Sequence, residues 1–287
     1  MIKDIYLKYS FYVALIGYVF YFLNYHPLAY FDNEERFMSI FKEPSHYVVV
    51  VFPACYYFLK NKNYLQFLTI LFTFILSGSS VGFLGVGLMF LVPFLKIDRI
   101  KYLFIAIPIL IIGFIITFNY NDGFKMRVEE SIENLNALNN GKFDEYTNMS
   151  SYVFLSNMYI AKQNFLEHPF GTGIGSHHHM YTTKYYKNMR APEYLVKQDH
   201  HRDNSFDANS FFTRSVSEFG VFGIILTFFI IAYFYKGLYS NEYLLHGIFI
   251  YIVIKFFRDG TYFPPELYYF LWMFYFLKKN QKESYND

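Results

Sequence analysis

The chain has 287 residues, 54% hydrophobic and 17% charged, where a soluble domain carries roughly a quarter charged residues. A net charge of +2, with no basic stripe, argues against nucleic acid as a partner. The only cysteine, Cys55, lies in an apolar run, which rules out an intramolecular disulfide and a cysteine-rich metal site.

The N-terminus turns apolar directly after Met1, Ile2, Lys3 and Asp4 with no small-residue cleavage site, and reads as an uncleaved first span. A helix crosses hydrocarbon with about 20 apolar residues. Uncharged runs occur at 9–31, 44–59, 63–95, 102–121, 215–217 continuing into 219–235, 243–254 and 260–277, the fifth tolerating Arg214 and Glu218 at its start and the seventh Glu266 inside it. The run 63–95 is too long for one ordinary span, and Ser77-Gly78-Ser79-Ser80 interrupts it, which predicts two short helices and a tight turn. The expectation is an all-α fold: a polytopic integral membrane helix bundle of about eight spans with one large extracytoplasmic loop. Its parts are N-terminal transmembrane helices over 1–118, the loop over 119–208, and C-terminal transmembrane helices over 209–287.

The positive-inside rule orients this bundle. Lys60 and Lys62, then Lys96, Arg99 and Lys101, then Lys236, then Lys278, Lys279 and Lys282 all fall on one side if the count is eight, and Asp32, Glu34, Glu35 and Glu43 fall on the other. Both termini are then cytoplasmic, and 119–208 faces outward. The Gly78-xxx-Gly82 spacing, with Gly85 and Gly87 nearby, suits close helix packing in a bilayer.

The large loop holds nine Lys/Arg, eleven Asp/Glu and six of the nine histidines. Val128, Ile132, Leu135 and Leu138 recur at helical spacing, and Phe154, Met158, Ala161 and Phe165 form a second apolar stripe that Pro169 stops. Two amphipathic helices are therefore expected there. His177-His178-His179 and His200-His201 are the visible clusters; adjacent histidines diverge on most backbones, so a hydrogen-bonding or acid–base role is favoured over a metal. Residues 168–175 form a glycine-rich turn, able to cradle phosphate or simply to fold tightly. Ser210, Arg214, Ser217 and Glu218 share a helical face at the edge of the sixth span, either as a functional set or as a structural Arg214–Glu218 pair. Arg127, Arg190 and Arg202 complete the loop's arginines, whose planar forks suit bidentate phosphate binding.

Residues 164–176, NFLEHPFGTGIGS, and residues 207–223, DANSFFTRSVSEFGVFG, resemble the paired motifs of the O-antigen polymerase (Wzy) and O-antigen ligase superfamily, in which a glycine-rich turn precedes a helix ending in Glu-x-Gly-x-x-Gly, here Glu218, Gly220 and Gly223. Residues 76–82, LSGSSVG, are similar to the span before that family's large loop, without the arginine often found there. The resemblance covers roughly 65–235. The ligase branch carries a histidine, then Asn, Ser or Gln, then nine residues and a glycine. Counting back from Gly220 puts Asn209 where that histidine belongs, which favours the polymerase branch. Family members are usually longer at the N-terminus, so a short or truncated variant is expected.

The resemblance implies a membrane glycosyltransferase-type polymerase of the bacterial cytoplasmic membrane. It would join oligosaccharide repeat units carried on undecaprenyl diphosphate into O-antigen or capsule at the outer face. Nothing in the sequence demands a metal or cofactor, membrane lipid is an expected partner, and the resemblance implies a flippase and a chain-length regulator as further partners. Departure of a diphosphate asks for cations, for which Arg127, Arg202 and Arg214 are suited, with Asn209 and Ser210 as hydrogen-bonding groups to sugar or phosphate. A base is needed near the acceptor hydroxyl, with Asp207, Glu218, His178 and His200 as candidates. Competing readings are the ligase, a lipid-linked oligosaccharide flippase or other transporter, which His246 and Lys255 in the seventh span keep open, and a non-catalytic assembly partner.

Overall fold

The computed structural model describes residues 2–28, 36–120, 125, 129 and 132–283. The described residues are helical apart from turns and one isolated parallel bridge between Lys142 and Arg190. The chain divides into two compact units. The first comprises Met1–Arg99, Ile231–Ile254 and Phe263–Asp287; the second comprises Ile100–Ile230 and Lys255–Tyr262.

The first unit contains α1 (Ile2–Phe22), α2 (Pro44–Lys60), α3 (Tyr64–Ser77) and α4 (Ser80–Leu91). Pro44 opens α2, where its missing N–H costs nothing. Pro53 lies inside the same helix and strains the rungs around it. The Tyr6 hydroxyl enters the opened rung, donating to the Val50 carbonyl at 2.9 Å and accepting from the Ala54 N–H at 3.1 Å. Gly85 of α4 leaves room for the Phe52 ring, which stacks on Phe74 at 5.6 Å, whereas nothing lies within 4 Å of where a side chain at Gly87 would start. Close packing in this stretch is therefore the work of Gly85.

The expected interruption of 63–95 is present. Gly78 ends α3 in the left-handed conformation, at φ 55°, its N–H returning to the Ile75 carbonyl, and Ser79 leads extended into α4. Among the described residues two helices are long and apolar enough to cross a membrane, Ile2–Phe22 and Val221–Tyr239; Tyr64–Ser77 and Val81–Phe94 are shorter apolar helices.

The second unit contains α5 (Leu103–Tyr120), the short α6 (Ala137–Asn140), α7 (Met149–Glu167), α8 (Ser176–His179), α9 (Glu193–Lys197) and α10 (Phe211–Phe219), followed by α11 (Val221–Tyr235). Two further helices, α12 (Tyr243–Arg258) and α13 (Pro265–Glu283), complete the chain. Asn148 caps α7 by accepting from the Ser151 N–H at 2.9 Å. Tyr152 and Tyr159 of α7 join Phe143, Tyr181 and Tyr185 in an aromatic core.

Three details differ from expectation. Of the expected Phe154, Met158, Ala161 and Phe165 stripe on α7 only Ala161 is buried, the other three being half-buried; the buried face also runs through Tyr152 and Ile160 and carries Ser156, Asn157 and Asn164. In the preceding segment Ile132 and Leu135 point outward and Asn134 is buried, accepting from the Thr147 hydroxyl at 2.6 Å; Val128 lies outside the described residues. The expected sixth span, 215–217 continuing into 219–235, is not one helix, because Gly220, at φ 59° and ψ −131°, separates α10 from α11. Only glycine takes that combination without strain.

Candidate functional site

The two motifs quoted above pack backbone to backbone. After α7 ends, the turn 168–175 runs along the end of α10. The Gly173 N–H donates to the Glu218 carbonyl and the Val221 N–H to the Pro169 carbonyl, each at 2.9 Å. A side chain at Gly171 would strike the Glu218 carbonyl, and one at Gly220 would strike the Pro169 carbonyl. Gly171 and Gly220 let these two stretches of backbone touch.

Under this seam lies a polar core. His177, with 0% exposure, joins Ser217 Oγ through Nδ1 at 2.9 Å and Asn157 Oδ1 through Nε2 at 3.0 Å. Asn157 spends its amide N–H on the Val153 carbonyl at 2.7 Å, so its oxygen accepts, Nε2 carries the imidazole proton, and Nδ1 receives the Ser217 hydroxyl. Asn164 donates to the Ser217 carbonyl at 2.7 Å and to Thr172 Oγ1 at 2.9 Å. Burial, with lesser repulsion from Arg214 and His178, pushes the His177 pKa down to about 3. The imidazole is thus a neutral tie between α7, α8 and α10.

Next to it, α10 and the 259–262 turn build a charged cluster. Ser210 caps α10, accepting from the Thr213 N–H at 3.0 Å. Arg214 donates through Nε to Glu218 Oε1 at 3.1 Å and through Nη1 to the Gly260 carbonyl at 3.1 Å, with its guanidinium 4.1 Å from the Tyr262 ring centre. Glu218, 1% exposed, also accepts from the Tyr262 hydroxyl through Oε2 at 2.7 Å. Gly260 lies against Asp207, whose carbonyl a side chain at Gly260 would meet. Lys255 donates to Asp259 Oδ2 at 2.5 Å and to the Thr261 carbonyl at 2.6 Å.

Asp207 is half-buried, and its Oδ1 accepts from the Asn209 N–H at 2.9 Å. Burial is the largest cause raising its pKa, Asp259 adds to it, and the Asn209 N–H, Arg214 and Lys255 pull the other way. Asn209, 8% exposed, sits at φ 55° directly after Ala208 at φ 58°, two consecutive left-handed residues that are not glycine. Its Oδ1 accepts from Asn204 at 2.9 Å, while its Nδ2 has no hydrogen-bond partner among the described residues.

Asp207, Asn209, Ser210, Arg214 and Glu218 therefore belong to one cluster. His178 and Arg202 stand elsewhere in the same unit. His178 Nδ1 pairs with Ser205 Oγ at 2.9 Å and Arg202 covers the Tyr186 ring at 5.1 Å. His200 is paired with Asp203 at 2.9 Å, both about one-third exposed. Arg190 contributes backbone to the bridge with Gly141 and Phe143. Arg127 lies outside the described residues. The three consecutive histidines turn to different partners, His177 to Ser217 and Asn157, His178 to Ser205 and His179 to Thr183.

Tyr262, Asp259, Asn157 and Asn164 escaped the sequence reading. Tyr262 and Asp259 are distant in sequence and carry no motif. The asparagines had a signal, two amides seven residues apart on one face of an amphipathic helix, which the apolar stripe masked.

No curated protein and no solved structure matches the chain. A family model described as O-antigen ligase matches residues 65–228, over half of the chain and spanning both motifs. Members of that family are membrane enzymes acting on lipid-linked saccharides. The chain belongs to the O-antigen ligase family.

Proposed function

We propose that this chain polymerises lipid-linked saccharide repeat units at the outer face of the cytoplasmic membrane. The observation that carries the choice of polymerase over ligase is Asn209, in the position where the ligase branch has a histidine. A side-chain amide neither takes nor gives a proton near neutral pH, so proton transfer moves to another group. Asp207, two residues away, is the best-suited base. Its pKa is raised toward the working range, and Oδ2 has no hydrogen-bond partner among the described residues. Glu218 is unsuited because Arg214 and Tyr262 occupy both of its oxygens, and His200 is engaged by Asp203.

In the proposed reaction a hydroxyl of the incoming unit attacks the anomeric carbon of the growing chain. The new glycosidic C–O bond forms as the bond to the diphosphate breaks. The hydroxyl proton passes to Asp207, and the diphosphate leaves with the bonding electron pair. Arg214 is held by Glu218, Gly260 and Tyr262, while its Nη2 has no hydrogen-bond partner among the described residues. A preoriented cation of this kind stabilises a leaving anion without reorganising. The Asn209 Nδ2 and the start of α10 supply further donors. An orientation with both termini cytoplasmic and about eight spans follows from the charge asymmetry of the sequence.

A host deletion strain separates the branches. Loss of a polymerase leaves surface lipid carrying single repeat units; loss of a ligase leaves long chains on the carrier lipid. Long carrier-bound chains would transfer the assignment to the ligase branch.

A further inference from the structure

We infer that Phe206, His178, Arg202 and Tyr186 form a saccharide-binding platform, distinct from the Arg214 cluster, that receives a sugar ring of the lipid-linked substrate. The inference rests on the proposed action on lipid-linked saccharides and adds the surface that reads the sugar. Phe206 is 72% exposed yet not loose: its ring lies face to face with the His178 imidazole, centroids 3.7 Å apart and planes 9° from parallel. The buried Ser205 fixes His178 through Nδ1. Burial lowers the His178 pKa, and the positive charge of Arg202 is the next cause. Arg202 is exposed and lies over the Tyr186 ring, which also packs on His201 at 5.3 Å and on the buried Tyr181 at 6.1 Å.

A lone exposed phenylalanine needs no explanation. This one is held in place by backbone that resists it. Asp199, Asn204, Ala208 and Asn209 are all left-handed within 11 residues, and none is glycine. Such strain persists only where surrounding contacts impose it, and it clusters at binding sites. Here the contacts are explicit. The hydroxyls of Tyr152 and Tyr181 both donate to the His201 carbonyl, at 2.9 and 3.0 Å, fastening the segment to the aromatic core.

The chemistry matches a sugar. An aromatic face carries negative charge density that attracts the weakly positive C–H face of a pyranose. The hydroxyls at the ring's edge need directional polar partners. The His178 imidazole is stacked on the Phe206 ring and the fork of Arg202 lies over the Tyr186 ring, and a guanidinium takes two oxygens of a diol or a sugar carboxylate at once. A lipid tail would use the phenyl ring but waste the polar rim.

The test uses full-length protein in detergent and two probes: the single-repeat oligosaccharide released from the host's own surface polysaccharide, and farnesyl diphosphate, which has no sugar. Phe206→Ala is expected to weaken oligosaccharide binding about tenfold, the scale of one stacked ring, and to leave farnesyl diphosphate binding unchanged. Phe206→Trp is expected to retain oligosaccharide binding and to report it by a change in indole emission, over a background from Trp272 alone. Arg214→Ala is expected to give the opposite pattern, losing farnesyl diphosphate. Equal weakening of both probes by Phe206→Ala would make the ring a lipid anchor and overturn the platform. So would oligosaccharide binding that ignores Phe206, or no oligosaccharide binding to the wild type. Loss of farnesyl diphosphate binding from the wild type itself would instead count against the reading of the Arg214 cluster.

Discussion

Two carboxylates on either side of the α10 start have opposite prospects. Glu218 accepts from Arg214 with one oxygen and from Tyr262 with the other, and is 1% exposed, so it is committed to structure. Asp207 keeps an oxygen and has a raised pKa. If it is the base, Asp207→Asn lowers turnover by at least about 100-fold while leaving thermal stability near wild type. Turnover should also fall as acidification protonates Asp207, along a limb shifted upward from the usual aspartate value. A pH–rate profile of the wild type and a single-point assay of the variant test both. Arg214→Ala should cost at least about tenfold in turnover with membrane insertion retained, and wild-type rates would sink its role.

His177 makes a prediction about stability. Its usual pKa is 6.5, and it falls to about 3 in the fold. Between those values the unfolded chain binds a proton that the folded chain refuses. The stability contributed at neutral pH is therefore lost as pH falls from 6.5 toward 3. His177→Gln removes that dependence. Its deficit relative to wild type should shrink by about 1.4 kcal/mol per pH unit below 6.5. Unfolding midpoints at pH 7 and pH 5 show whether the two curves converge; parallel curves would mean that the imidazole is protonated in the fold.

Elements sort the glycines by what they touch. Gly220 combines a positive φ with contact against the Pro169 carbonyl, and Gly87 has neither constraint. Gly220→Ala should cost about 3 kcal/mol or more and show as lost monodisperse protein, whereas Gly87→Ala should be neutral within about 1 kcal/mol. The helix break at Ser77–Ser80 was legible because glycine and serines sit together inside an apolar run. The break at Gly220 was not, since the run continues on both sides and α11 restarts only because the distant Pro169 carbonyl takes the Val221 N–H. Likewise the Arg214–Glu218 pair could be read from its four-residue spacing, but its third and fourth members, Tyr262 and Gly260, come from a turn more than 40 residues on. Local spacing reveals pairs on one helix; it cannot reveal what a later turn brings to them.

At the scale of the whole molecule the paired glycine motifs sufficed for the family, because they are two halves of one backbone seam. The orientation is a separate claim, resting on charge. In a Cys55→Ser background, cysteine at Tyr146, which is 90% exposed, should react with an impermeant maleimide in intact spheroplasts. Cysteine at the exposed Lys62 should react only after lysis. The reverse pattern would invert the bundle and remove the large loop from the side where the substrate is presented.

Polymerisation itself is tested by supplying purified, vesicle-reconstituted protein with the host's lipid-linked repeat unit and nothing else, and resolving products by length. The account predicts a ladder of increasing repeat number that Arg214→Ala and Asp207→Asn suppress. Folded protein that yields no ladder from the repeat unit alone, yet transfers preformed polymer to a second acceptor lipid, would contradict it.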